Sequence, residues 1–113
     1  MEVPTVVNIR VANLRNLGYD NLEKWLENPL HLYIGREMHF YVKGAHKSKW
    51  HNPYSTKKYS LDEVLRLYRE HIINSDLYDQ LDELSGKVLG CWCSPNPCHG
   101  NVLIELFKQK FNI

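Results

Sequence analysis

Apolar positions follow two rhythms along this chain. Residues 3–10 hold Val6, Val7 and Ile9, β-branched and closely spaced. Pro4 stands near their start, where a strand tolerates it, so a first strand is predicted. Residues 11–19 show neither rhythm and read as a connector containing Gly18. Asp20, Asn21, Leu22 and Glu23 have the spacing of an N-cap followed by a capping-box acid. A short helix through Trp25 and Leu26 is expected there, stopping before Pro29. His31, Leu32, Tyr33 and Ile34 predict a second strand, ended by Gly35. Residues 37–59 are polar and irregular, broken by Gly44 and Pro53, and loops of that length in small domains are often functional. Ser60 and Glu63 form a second capping box, and behind it Leu61, Val64, Leu65, Tyr68 and Ile72 recur at helical spacing. Asp76 opens another short helix through Leu77, Leu81 and Leu84, closed by Ser85 and Gly86. Residues 87–93 predict a third strand and residues 94–97 a turn. Residues 98–100 start a last helix striped with Val102, Leu103, Leu106, Phe107 and Phe111.

Strands separated by helices predict an α/β fold. The expected architecture is a small, mostly parallel sheet of three or four strands with crossover helices, Rossmann-like, with residues 1–113 forming a single domain. In open parallel sheets ligands bind beyond the carboxyl ends of the strands. Arg10 stands at the end of the first strand, Tyr33, Gly35 and Arg36 at the end of the second, and residues 93–100 after the third. Parallel strands would bring all of these to one edge. A helix beginning at residues 98–100 offers unpaired N–H groups and partial positive charge, Gly100 lets a ligand approach the backbone, and Arg36 can fork onto a phosphate or carboxylate.

The 3 cysteines of the chain crowd into residues 91–98, as Cys91, Cys93 and Cys98, with His99 alongside. A disulfide framework would spread them out, so a reducing compartment is expected. Three readings stay open. Cys91, Cys93, Cys98 and His99 supply the donor count of a zinc site. Cys98 at a helix start could be a low-pKa nucleophile, needing a base from elsewhere such as His31, His46 or His51. The third reading makes these cysteines small buried hydrophobes, above all Cys91 within the strand.

Charge is distributed unevenly although the net charge is only +1, from 14 basic and 13 acidic residues. Residues 38–61 contain no acid but carry Lys43, Lys47, Lys49, Lys57 and Lys58, with Phe40, Tyr41, Trp50, Tyr54 and Tyr59 between them. Basic groups that hold phosphates and rings that stack on bases are the equipment of a nucleic-acid surface. Residues 62–83 reverse the bias. A basic arm or acidic tail is excluded as the main theme. Hydrophobic residues at 43% and charged ones at 24% of 113 suit one small core. No apolar run reaches bilayer length, and residues 1–20 lack a basic-then-apolar leader, so an intracellular setting without a membrane partner is expected.

Several stretches together resemble domain-of-unknown-function family number 4326, an uncharacterised family found in phages, bacteria and large DNA viruses. They are Val6-Val7-Asn8-Ile9-Arg10, Tyr33-Ile34-Gly35-Arg36, Trp50-His51-Asn52-Pro53-Tyr54 and Gly86-Lys87-Val88-Leu89-Gly90-Cys91-Trp92-Cys93, followed by Pro95 and Cys98-His99-Gly100-Asn101-Val102-Leu103. Residues 11–30 look like an insertion, and Asn101 stands where members often have an acid. The resemblance implies an α/β fold whose Gly-Arg, Trp-x-Asn-Pro and Cys-His-Gly segments form one site, and by association a role around nucleotides, in the cytoplasm or nucleus of a host cell for a viral member.

Three functions follow as expectations. The first is binding of an anionic, nucleotide-like ligand by Arg10, Arg36, Gly35, Asn52, Pro53 and residues 98–100, with Tyr33 or Trp50 stacking on a ring. The second is DNA or RNA binding by loop 38–61, in a homodimer that doubles its modest charge. The third is an enzyme with Cys98 as nucleophile.

Overall fold

The computed structural model describes residues 1–93 and 96–113. Its elements run β1 (Thr5–Asn8), α1 (Val11–Asn16), α2 (Leu22–Trp25), β2 (His31–Tyr33), α3 (Leu61–Ile73), a 3₁₀ helix (Asp76–Leu84), β3 (Val88–Cys91) and α4 (His99–Phe111). The three strands form one parallel sheet in the order β1-β3-β2. Thr5 faces Val88 and Asn8 faces Cys91, while His31 faces Val88 and Tyr33 faces Gly90. β3 takes the centre because it is the most continuously buried strand, as a strand covered on both faces must be. The expected α/β fold is present, as a small open sheet.

Period-two alternation sorts the side chains into two cores. On one face Val6, Leu32, Ile34, Leu89 and Cys91 pack with Tyr68 and Ile72 of α3, Leu81 and Leu84 of the 3₁₀ helix, and Leu103 and Phe107 of α4. On the other, Val7, Ile9, Tyr33, Val88 and Trp92 pack with Leu14 of α1, Trp25 of α2, and Met38, Val42 and Ala45 of the following loop. The result is three layers with the sheet in the middle. Gly90, at the centre of β3, permits the second core. A Cβ there would lie 2.7 Å from Ile9 and 2.8 Å from the Trp25 ring.

Capping sets several helix starts. The Asn21 side chain accepts from the Lys24 N–H at 2.9 Å, so Asn21 rather than Asp20 caps α2. The Ser60 hydroxyl accepts from the Glu63 N–H, as its spacing predicts. Residues 11–19 overturn an expectation, for two thirds of this supposed connector is α1. Its N-cap, Arg10, makes no side-chain cap bond, and it carries two asparagines, so no local signal marks it. Burial of Leu14 and a 2.7 Å bond from the Asn13 side chain to the Asn8 carbonyl hold it against the sheet. Leu61 also departs from its expected place on the buried stripe, being 42% exposed. Residues 37–59 do form the long irregular connection. No helix among the described residues is long and apolar enough to cross a membrane.

Candidate functional site

Because the strands are parallel, their carboxyl ends share one edge, and a cavity of about 400 Å³ opens there. Gly35 and Arg36 enter it from the end of β2, and Asn52, Pro53 and Tyr54 from the long loop. Leu61, Val64 and Leu65 of α3 supply an apolar wall. Trp92 and Cys93 beyond β3, with Pro97, Cys98 and His99 at the start of α4, close the remaining side. The Gly-Arg, Asn-Pro and Cys-His segments expected to meet therefore line one hollow. A wider hollow beside Leu32, Tyr33, Trp50 and Lys87 is bordered by the Lys49–Glu83 ion pair, at 2.6 Å, and shares none of the first cavity's lining residues.

Arg36 is exposed, and among the described residues its guanidinium has no ion-pair partner. Arg10 does not line the cavity. Its Nε donates to the Trp92 carbonyl at 3.2 Å, beside the rim. Both guanidiniums act on Cys93, drawing its thiol pKa down, although partial burial and then the neighbouring Cys91 outweigh them and raise it. The rim thus carries two positive charges over a largely apolar wall.

Several residues expected to touch a ligand build the fold instead. Trp50 is 1% exposed in the core, and its carbonyl accepts from the buried Tyr68 hydroxyl at 2.7 Å, so its ring cannot stack on a ligand. Tyr33 is buried on the opposite face, tying two strand ends together. Its hydroxyl donates to the Arg36 carbonyl at 2.6 Å and accepts from the Trp92 indole N–H at 3.1 Å. The chain passes so closely over that ring that a Cβ on Gly35 would lie 2.5 Å from its Cζ. Gly100 is a packing glycine, with Val6 2.9 Å and Ile34 3.1 Å from where its Cβ would be. Among the described residues, Tyr54 and Trp92 are the large aromatic rings that do line the cavity. Tyr54 belongs to the Trp-x-Asn-Pro stretch, where Asn52 Oδ1 accepts its N–H at 2.9 Å. Its position was legible there, but which ring of the stretch faces outward was not.

The cysteine readings separate on geometry. Cys91 and Cys98 are buried thiols with their sulfurs 3.2 Å apart, and Cys93 is exposed. His99 Nε2 lies 2.7 Å from the Ile34 carbonyl, to which it donates as the neutral ring. A zinc site made of Cys91, Cys93, Cys98 and His99 needs its donors at one point. Among the described residues, no three of those donor atoms come within 4.8 Å of one another. The low-pKa nucleophile fares no better. Contact with Cys91, and then burial, push the Cys98 thiol well above its ordinary range, and the helix-start N–H groups of Gly100 and Asn101 pull the other way without prevailing. Cys98 serves as the N-cap of α4, and its N–H donates to the Asn101 side chain at 2.9 Å. A carboxylate at position 101 would accept the same bond, so the Asn101 amide does the work of a capping-box acid. Of the possible bases, His31 stacks on Trp25 across the sheet, and His51 Nδ1 faces the Ser48 carbonyl at 2.8 Å. Ser94 and Pro95, in the expected turn, lie outside the described residues.

The basic loop does not present its lysines together. Lys43 faces Glu23 of α2 at 4.0 Å, while Lys49 meets Glu83 and Gln80 of the 3₁₀ helix, each at 2.6 Å. Lys58 lies over the Tyr59 ring, 5.6 Å from its centroid, and Lys47 and Lys57 are exposed. Acids that follow in sequence or lie across the fold thus neutralise part of the bias seen in residues 38–61.

The family described as Domain of unknown function (DUF4326) matches residues 19–109. This chain belongs to that family. The match to DUF4326 begins after α1, so β1 and Arg10 stand outside it and every cavity-lining residue inside. The chain is similar to the uncharacterized protein R718 of Acanthamoeba polyphaga mimivirus, 37% identical over 86 residues, which cover 68% of this chain and 66% of that protein. It is also similar to an uncharacterized 12.4 kDa protein in the nrdA-td intergenic region of Enterobacteria phage T4, 43% identical over 37 residues, 29% of this chain and 34% of that one. The chain thus spans just under two thirds of the first relative's length and about a third of the second's. No solved structure matches it.

Proposed function

We propose that this DUF4326 domain binds an anionic, nucleotide-like ligand in the cavity at the carboxyl ends of its strands. One observation carries the reading: a hollow of about 400 Å³, the size of a small-molecule site, with the exposed Arg36 at its mouth and ring-bearing walls inside. Arg36 would take the anionic group, with Arg10 adding positive potential from the rim. Tyr54 or Trp92 would meet the flat part of the ligand, and Leu61 and Leu65 would cover it from the side. Shape and charge support a binding role ahead of catalysis by Cys98, whose thiol is buried and held protonated. They also support it ahead of DNA or RNA binding by loop 38–61, two of whose lysines face acids of this chain.

The test is a thermal-shift panel of nucleosides and their mono-, di- and triphosphates. Phosphorylated members should raise the melting temperature, the parent nucleosides should do so less, and Arg36→Gln should remove the difference without lowering the melting temperature of the unliganded protein. Folded protein that responds to none of them, or a response that Arg36→Gln leaves intact, overturns the reading.

A further inference from the structure

We propose that Glu37, His39 and His46 form a binding site for a divalent transition-metal ion of the zinc class, separate from the ligand cavity. One donor atom from each residue lies within 4.8 Å of the other two. Two imidazoles and a carboxylate are a donor set that such ions favour, and three protein ligands leave a coordination position for water or an incoming group.

The backbone builds this arrangement. The Met38 N–H donates to the Ala45 carbonyl at 2.8 Å, and inside the loop so closed the Val42 N–H donates to the Met38 carbonyl at 2.8 Å and the Ala45 N–H to the Val42 carbonyl at 3.1 Å. Gly44, at φ 92°, allows the reversal, and fully buried Ala45 anchors the neck to the second core. His39 and His46 each stand one residue beyond the Met38–Ala45 pair and come side by side, their rings stacked with centroids 4.9 Å apart and planes at 22°. His39 Nδ1 hydrogen-bonds to Glu37 Oε1, and His46 Nδ1 lies 3.8 Å from the same oxygen. An ion pair with Glu37 needs one imidazole, and a second turned toward the same oxygen is what a coordinated cation uses. The carboxylate is oriented independently. The Lys47 N–H donates to Oε2 at 3.1 Å and the His39 N–H to Oε1 at 3.3 Å, the outer support that metal ligands commonly have. All three side chains reach solvent, with 41%, 36% and 72% exposure for Glu37, His39 and His46, so an ion can approach from solvent and take the place of the His39–Glu37 hydrogen bond.

The experiment uses full-length protein made without a histidine tag and stripped with chelator. Zn²⁺ is titrated calorimetrically and Co²⁺ by visible absorption. The expected result is one Zn²⁺ per chain, a rise in melting temperature with Zn²⁺, and cobalt bands without a sulfur charge-transfer feature. His39→Ala, His46→Ala and Glu37→Gln should each weaken binding at least about tenfold, as losing even an outer-shell partner does. Cys93→Ser should not. Circular dichroism on each variant establishes that these exposed substitutions leave the fold intact. Absence of binding, binding unchanged in both histidine variants, or loss in Cys93→Ser together with a sulfur charge-transfer band would each overturn the assignment, the last by moving the metal to the cysteine turn.

Discussion

The two halves of the long connection between β2 and α3 are alike in composition and opposite in behaviour. Both are basic, histidine-bearing and aromatic. In the first half Phe40 and Tyr41 stand 86% and 89% exposed, and the chain closes on itself through Met38 and Ala45. In the second, Trp50 is sunk to 1% exposure, Tyr68 holds its carbonyl, and the following Asn52, Pro53 and Tyr54 are thereby set along the cavity. One half makes a self-contained loop with a cluster of metal-type donors, and the other makes a wall of the candidate site. A loop's chemistry depends on which of its side chains the core has taken, because a ring used as an anchor is no longer available to a ligand.

That contrast can be broken most sharply at its anchor. Trp50→Ala should cost about 3–5 kcal/mol in denaturant unfolding, the usual penalty for removing a buried aromatic. A loss below about 1 kcal/mol would mean that the Trp50 ring does not anchor the second half. Tyr68→Phe should cost about 1–2 kcal/mol, because the Trp50 carbonyl is then left buried without its donor, and should leave the secondary structure unchanged by circular dichroism.

The wall built by the second half also predicts a pH effect. Burial lowers the pKa of His99, with nearby His51 acting the same way and the bond to the Ile34 carbonyl opposing. The unfolded chain therefore takes up a proton below about pH 6.5 that the folded protein refuses. The contribution of His99 to stability is fully present above that value and falls as the pH drops from there toward the folded pKa. His99→Gln, which keeps an N–H donor but does not titrate, should flatten the pH dependence of the melting temperature in that interval. An unchanged slope would place the titrating group elsewhere. The smallest effect belongs to the first half. Phe40→Ala and Tyr41→Ala should each alter stability by less than about 0.5 kcal/mol, and a larger loss for either would show that ring to be packed after all.

Particular residues show how far sequence reasoning reached. Ser60 with Glu63, the stripe from Val64 to Ile72, and the apolar run of β3 were readable because each signal is local: a cap needs its partner three residues on, and a buried strand needs only its neighbours. Parallel order then followed from alternation, and with it the meeting of residues 35–36, 52–53 and 98–99 at one edge. α1 escaped because nothing caps it, and only contact with the sheet makes it a helix. Trp50, Tyr33 and Gly100 were placed at the right end of the molecule but on the wrong side of its surface. Tyr54 and Trp92 stood in singled-out stretches and Leu61 on the predicted stripe, but nothing local showed that these side chains, rather than their neighbours, line the hollow.

Local pattern thus determined the α/β class and the edge where residues 35–36, 52–53 and 98–99 meet, since hydrophobic periodicity and capping act between residues near in sequence. The tertiary structure alone decided the strand order, which rings are core and which are wall, that Cys91 and burial push the Cys98 thiol pKa up, and that Glu37, His39 and His46 converge. Burial and convergence depend on how the chain folds back and which layers pack together, even over the seven residues from Cys91 to Cys98, and periodicity and capping do not encode that.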